Sequence, residues 1–211
     1  MTAPIIKLSQ LPQAASLTGT EAVPVVQNGQ TRKTTAAELI PVPVQKLVFN
    51  TANDTQPALG EMAWNATDKT VDIGLAGNVV LQLGQEALVK IKADSTIQDG
   101  QLIMLTGADG NSGRLRGAPA NGGDPQTKAF RMLGVATMDI AANQEGFVTA
   151  FGVVRGVPTN GGNVGESWDA GDVLYPHPTI AGGLTNGTPT LDIPIAIVLF
   201  AGASGSLFVR R

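Results

Sequence analysis

The chain has 211 residues, 43% of them hydrophobic, enough to fill the core of one large domain or two small ones. Charged residues make up 15% and aromatic ones 4%, while 26 Gly and 13 Pro, without collagen's strict glycine period, suit many short strands better than helices. The net charge is −3 and basic residues are scattered, the closest pairings being Arg32-Lys33, Arg114 with Arg116, and Arg210-Arg211, which argues against a nucleic-acid partner. Cysteine is absent, so disulfides and thiolate metal sites are excluded and stability must come from packing or assembly.

The first residues, Met1-Thr-Ala-Pro-Ile-Ile-Lys7, lack the basic start and continuous apolar core of a signal peptide. No run of about 18 apolar residues is present to span a bilayer, so the expectation is a protein made in a cytoplasm, with no membrane partner. Residues 1–40 form a first segment, a small arm with one hairpin. Ala22-Val-Pro-Val-Val-Gln27 leads into Asn28-Gly29, the strongest short turn signal in the chain, and Gln30-Thr-Arg-Lys-Thr-Thr35 returns. Ala36 to Ile40 fits one helical turn capped by Thr35, stopped by Pro41. So small a unit has little core of its own and must lean on a partner.

Residues 41–86 form the second segment. Pro41-Val-Pro43 begins an extended linker, because proline removes backbone donors. Gly60 to Asn65, Thr70 to Leu75 and Val79 to Gly84, separated by turns at Asp68-Lys69 and Ala76-Gly-Asn78, predict a β-meander in which Trp64 is a core or interface anchor. Residues 87–211 form the third segment. Its glycine-fenced apolar runs are Leu88–Lys92, Gln101–Thr106, Arg131–Thr137, Gly146–Val154, Asp172–Tyr175, Ile193–Phe200 and Leu207–Val209, the pattern of a barrel or sandwich. The whole chain therefore reads as all-β. Gly107 to Gln126 and Val157 to Ser167 are polar and Gly-rich, and are expected as exposed loops.

The chemical candidates are weak. His177 is the sole histidine and is held between Pro176 and Pro178, which suits a structural turn. Asp109, Asn111 and Asp124 are oxygen donors on a Gly-rich stretch, but Asp109-Gly-Asn-Ser-Gly113 lacks the later bidentate Glu of a calcium loop. Asp139, Glu145, Glu166, Asp169 and Asp172 could supply a carboxylate pair, yet none sits in a carbohydrate-cleaving motif. Gly161-Gly-Asn-Val-Gly165 has no following Lys-Ser/Thr to cradle phosphate. Catalytic residues, metals and cofactors are therefore not assigned.

Lys7-Leu-Ser-Gln-Leu-Pro12, Leu17-Thr-Gly-Thr-Glu-Ala-Val-Pro-Val-Val-Gln-Asn-Gly29 and Thr34-Thr-Ala-Ala-Glu-Leu39 together resemble the N-terminal attachment segment of tailed-bacteriophage fibre and appendage proteins. Gly60-Glu-Met-Ala-Trp-Asn65 through Glu86 also looks like a module of phage virion proteins. From residue 95 onward, Asp99-Gly-Gln101, Gly134-Val-Ala-Thr137, Gly146-Phe-Val-Thr149, Gly171-Asp-Val-Leu-Tyr175 and Gly182-Gly-Leu-Thr185 are similar in rhythm to small β-barrels of phage decoration proteins. The resemblance implies a non-enzymatic virion protein, assembled in the host cytoplasm as a homotrimer. Its N-terminus would dock on tail, neck or capsid proteins through Val23, Val25, Val26 and Leu39. A short fibre or appendage is the leading expectation and a capsid decoration protein its nearest alternative. The chain departs from long receptor-binding fibres in having no extended shaft of repeats. A carbohydrate-binding module or glycan hydrolase at the host surface is the alternative of another class, with Trp64, Trp168 and Tyr175 as stacking platforms and Asp169 and Asp172 as nearby acids.

Overall fold

The computed structural model describes residues 22–35, 46–52, 55–124, 129–160 and 164–210, and they are nearly all β. The chain divides into two compact units, Met1–Val48 and Phe49–Arg211. In the first, β1 (Ala22–Gln27) and β2 (Gln30–Thr35) pair antiparallel from Ala22↔Thr35 to Gln27↔Gln30. The turn puts Asn28 at φ 53 and Gly29 at φ 75, the two left-handed residues that a type I′ hairpin requires.

The second unit opens with the expected meander, β3 (Met62–Asn65), β4 (Thr70–Gly74) and β5 (Val80–Gln82), with a 3-10 turn at Ala76–Asn78. Nine further strands follow: β6 (Ala87–Ala93), β7 (Leu102–Ala108), β8 (Leu115–Pro119), β9 (Met132–Ala136), β10 (Glu145–Val157), β11 (Val173–Pro176), β12 (Leu184–Thr185), β13 (Ala196–Phe200) and β14 (Gly205–Arg210). They form one sheet ordered β12-β11-β13-β14-β10-β6-β8-β7-β9, and β9 returns to pair with β10. The strands β10, β6, β8, β7 and β9 thus close into a five-stranded barrel, in which only β6 and β8 run parallel. The meander and the barrel belong to the same compact unit, tied by Arg155 of β10, which donates to Glu86 Oε1 and Gln82 Oε1, each at 2.9 Å.

Two cores result. Ile91, Ala93, Ile97, Ile103, Ala136, Ile140 and Val148 fill the barrel. Outside the β7–β9 wall, Leu102, Met132 and Val135 meet Leu174, Ala196, Val198, Leu207 and Val209, contributed by the outer sheet formed by β11, β13, β14 and the second half of β10. Neighbouring residues on one strand, such as Leu102 and Ile103, therefore serve different cores, as the period-2 alternation of a strand dictates.

The stretch expected as an exposed loop from Gly107 to Gln126 requires correction. Leu115–Pro119 is a barrel strand, and a Cβ on Gly117 would lie 2.9 Å from Ile91 Cδ1 and 3.0 Å from Ile103 Cγ2, so glycine there is a packing residue rather than a turn residue. Ala120 is fully buried. The second expected loop is also partly packed: Val157 and Thr159 are buried, and Asn160 bridges to Ser167. Ala36 to Ile40, expected as a helical turn, lies outside the described residues.

Closure of the barrel depends on close backbone approach. A Cβ on Gly134 of β9 would stand 2.0 Å from the carbonyl oxygen of Thr149 on β10, beside the closing pair Thr149↔Val135. Gly134→Ala is expected to destabilise the domain by at least about 2 kcal/mol, because backbone atoms must move apart to admit the methyl group. Urea unfolding of the two proteins measures the difference, and a change below about 0.5 kcal/mol would show that β9 and β10 do not meet in this way.

Candidate functional site: an apolar sheet face

The inward alternation of the outer sheet leaves a second face pointing away from both cores. Val173, Ile197, Phe208 and Val153 are direct cross-strand neighbours on it, and Phe151 lies opposite Arg210. Phe151 and Phe208 meet edge to face with centroids 5.3 Å apart, a favourable quadrupolar arrangement that fixes both rings. At the far end of β13 a bulge interrupts the register between Val198 and Phe200, which pairs with Ser206. The extra residue gives two consecutive large apolar side chains, Leu199 and Phe200, to the outer face, where strict alternation would turn Phe200 inward. Val173, Ile197, Phe151, Leu199 and Phe200 remain 37%, 40%, 41%, 49% and 62% exposed. At the near end the same face holds a groove of about 560 Å³ lined by Val173, Tyr175, Pro194, Ile197, Phe208 and Arg210.

The residues singled out in the sequence are dispersed. Val23 and Val25 are half-buried in the hairpin and Val26 is 75% exposed, whereas Leu39 lies outside the described residues. Trp64 is half-buried on β3, and Tyr175 is half-buried in the groove of the outer face. Trp168 needs correction as a stacking platform. It is only 7% exposed and packs in the second core, so no sugar ring can lie on it without opening the domain. Neither Trp64 nor Trp168 lines the groove that holds Tyr175. The outer face has no signal in the sequence, where Ile193–Phe200 reads simply as a strand and only the bulge turns both Leu199 and Phe200 outward.

The acids hold turns. Asp172 accepts the Asp169 N–H at 2.9 Å and the Asn186 amide at 2.8 Å, and these bonds lower its pKa. Asp109 is lowered first by the Lys92 ammonium of β6 at 3.1 Å, then by Ser112 and the Asn111 N–H of its own β7–β8 turn. His177 Nδ1 accepts the backbone N–H groups of Ile180 at 2.9 Å and Thr179 at 3.2 Å, so it organises its own turn. A cleft of about 640 Å³ between the 76–80 segment and the barrel contains Asp99, Asp139, Glu86 and Arg155. Burial pushes the Asp99 carboxyl up, the Gly100 N–H opposes this, and the Asp139 charge adds to it. Asp139 in turn accepts the Asp99 N–H at 2.8 Å, and Glu86 pairs with Arg155 at 2.9 Å. Among the described residues no group of three or more His, Asp or Glu side chains could hold a metal ion.

No protein-family model matches the chain, and no curated protein matches it in sequence.

Glu166 anchors the segment that leads into Trp168. Its carboxylate accepts Trp168 Nε1–H at 3.0 Å, the Thr185 hydroxyl at 2.8 Å and the Asn186 N–H at 3.3 Å. Burial raises its pKa, but these three bonds and the nearby His177 together outweigh burial and hold it below the ordinary 4.5. A depressed carboxylate stabilises the fold above its unfolded-state pKa, and the contribution disappears as pH falls through the folded value. Glu166→Gln should therefore cost about 1–2 kcal/mol at pH 7, and the gap from the parent protein should close as pH falls below that range. Urea unfolding across pH 3–7 checks this; a gap that does not change with pH would place the effect elsewhere.

Proposed function

We propose that the chain is a bacteriophage virion structural protein: a short homotrimeric fibre or appendage that docks on the particle through its N-terminal unit and presents its β-barrel unit. The observation that carries this reading is the outer sheet face. Both cores are filled without it, yet it exposes a contiguous set of large apolar side chains, which favours a surface used in assembly. The hairpin unit supports the same reading. A lone two-stranded hairpin is marginal in water, and Val23, Val25 and the largely exposed Val26 supply apolar surface for a permanent contact. The attachment-like motifs around that hairpin give the contact its place, with tail, neck or capsid proteins as partners and the virion, built in the host cytoplasm, as the location.

A capsid decoration protein is the second reading, favoured by the closed five-stranded barrel, whose rhythm of glycines is that of small decoration barrels. Host-surface glycan binding has less support. Among the three aromatic candidates Trp168 is buried, and Asp169 and Asp172 are engaged in a turn.

Removal of residues 1–48 is expected to leave the remaining unit folded by circular dichroism while eliminating it from particles, since the two compact units divide at that point. Quantitative mass spectrometry of purified particles measures incorporation. Normal occupancy by the truncated chain would overturn the docking assignment, and a copy number matching the capsid lattice would select the decoration reading.

A further inference from the structure

The outer face carries both a projection and a recess. The Leu199–Phe200 ridge stands at one end of β13, while the groove lined by Val173, Tyr175, Pro194, Ile197, Phe208 and Arg210 lies around its other end, roughly 15 Å away at about 3.4 Å per residue. The ridge is ordered: Phe200 is fixed in register by Ser206, and its ring lies over the turn at Gly202, where a Cβ would approach Phe200 Cε1 to 3.5 Å. We propose that this face is where copies of the chain meet, the Leu199–Phe200 ridge of one copy entering the Tyr175 groove of the next. This rests on the assembly part of the proposed function and adds the surface and the contacts through which assembly occurs.

Three observations favour a second copy as the occupant. First, the groove of about 560 Å³ has room for an aromatic side chain, and it is walled by apolar atoms that a phenyl ring would desolvate. Second, Arg210 lies exposed on the groove wall, where its guanidinium can meet the face of an entering ring. Third, the area fits. The five exposed apolar side chains of the face leave on the order of 400 Å² open to water, and a stable interface buries roughly 800 Å² per partner with a little over half of it apolar. One chain thus supplies both halves of a complementary contact, and with its ridge in one neighbour and its groove filled by another the whole of that apolar area is covered.

The chain contains no cysteine, so single cysteines report contacts between copies without background. Phe200→Cys and Val173→Cys chains, co-expressed with different tags and oxidised, are expected to form a mixed disulfide, because ridge and groove of different copies meet. In parallel, Phe200→Asp should weaken self-association by about 30-fold or more in sedimentation equilibrium, with melting temperature of the separated chain unchanged, since Phe200 is outside both cores. An assembled parent whose mass is unaffected by Phe200→Asp, or cross-links confined to Phe200→Cys with itself, would overturn the ridge-in-groove contact while leaving assembly intact. A parent that is monomeric across micromolar concentrations would overturn both this contact and the assembly reading.

Discussion

Everything in the barrel unit hangs on β10. Its first half pairs with β6 on one side and β9 on the other and so closes the barrel; its second half pairs with β14 and starts the outer sheet. One strand can belong to two structures only if it changes direction between them, and β10 has register shifts at Thr149/Phe151 against β6 and at Arg155/Val157 against β14. Bulges bend a strand and increase its twist, which allows the outer sheet to fold back over the β7–β9 wall. Gly134 completes the arrangement, because only a residue without a side chain lets β9 come close enough to β10.

The surface chemistry follows from that construction. The sheet spends its inner face on the second core, and the opposite face cannot also be buried within one chain. In most single-sheet faces of this kind the outward positions are polar. Here Phe151, Val173, Ile197, Leu199, Phe200 and Phe208 occupy them, a pattern that costs solubility unless another surface covers it. The polar groups, by contrast, hold turns and join segments: Glu166 ties Trp168 to Thr185, Asp172 closes its turn, and Arg155 joins the meander to the barrel. Such use of carboxylates positions backbone and aromatic side chains.

Much of the fold was legible because its signals are local. Asn28-Gly29 defined the hairpin, and the meander and the seven strong strands announced themselves as apolar runs between glycines. Leu115-Arg-Gly-Ala-Pro119 did not, since arginine, glycine and proline imitate a turn, and what makes it a strand is the space between Ile91 and Ile103 that Gly117 leaves open. The parallel pairing of β6 with β8 likewise joins segments with no hairpin signal between them. Trp168 counts among the few aromatic residues that could stack on a sugar, although its ring is buried and its N–H is satisfied by Glu166. The run Ile193–Phe200 reads as a strand, but the bulge that turns both Leu199 and Phe200 outward has no signature in the residues themselves.

The central claim is that the outer face of β11, β13, β14 and β10 is covered in the working form of the protein. A cryo-EM map of the purified full-length protein tests it most directly. The account predicts that Ile197, Phe200 and Phe208 are packed against another copy of this chain, with density continuous from the ridge of one copy into the groove of its neighbour. A map in which those side chains face solvent would contradict it.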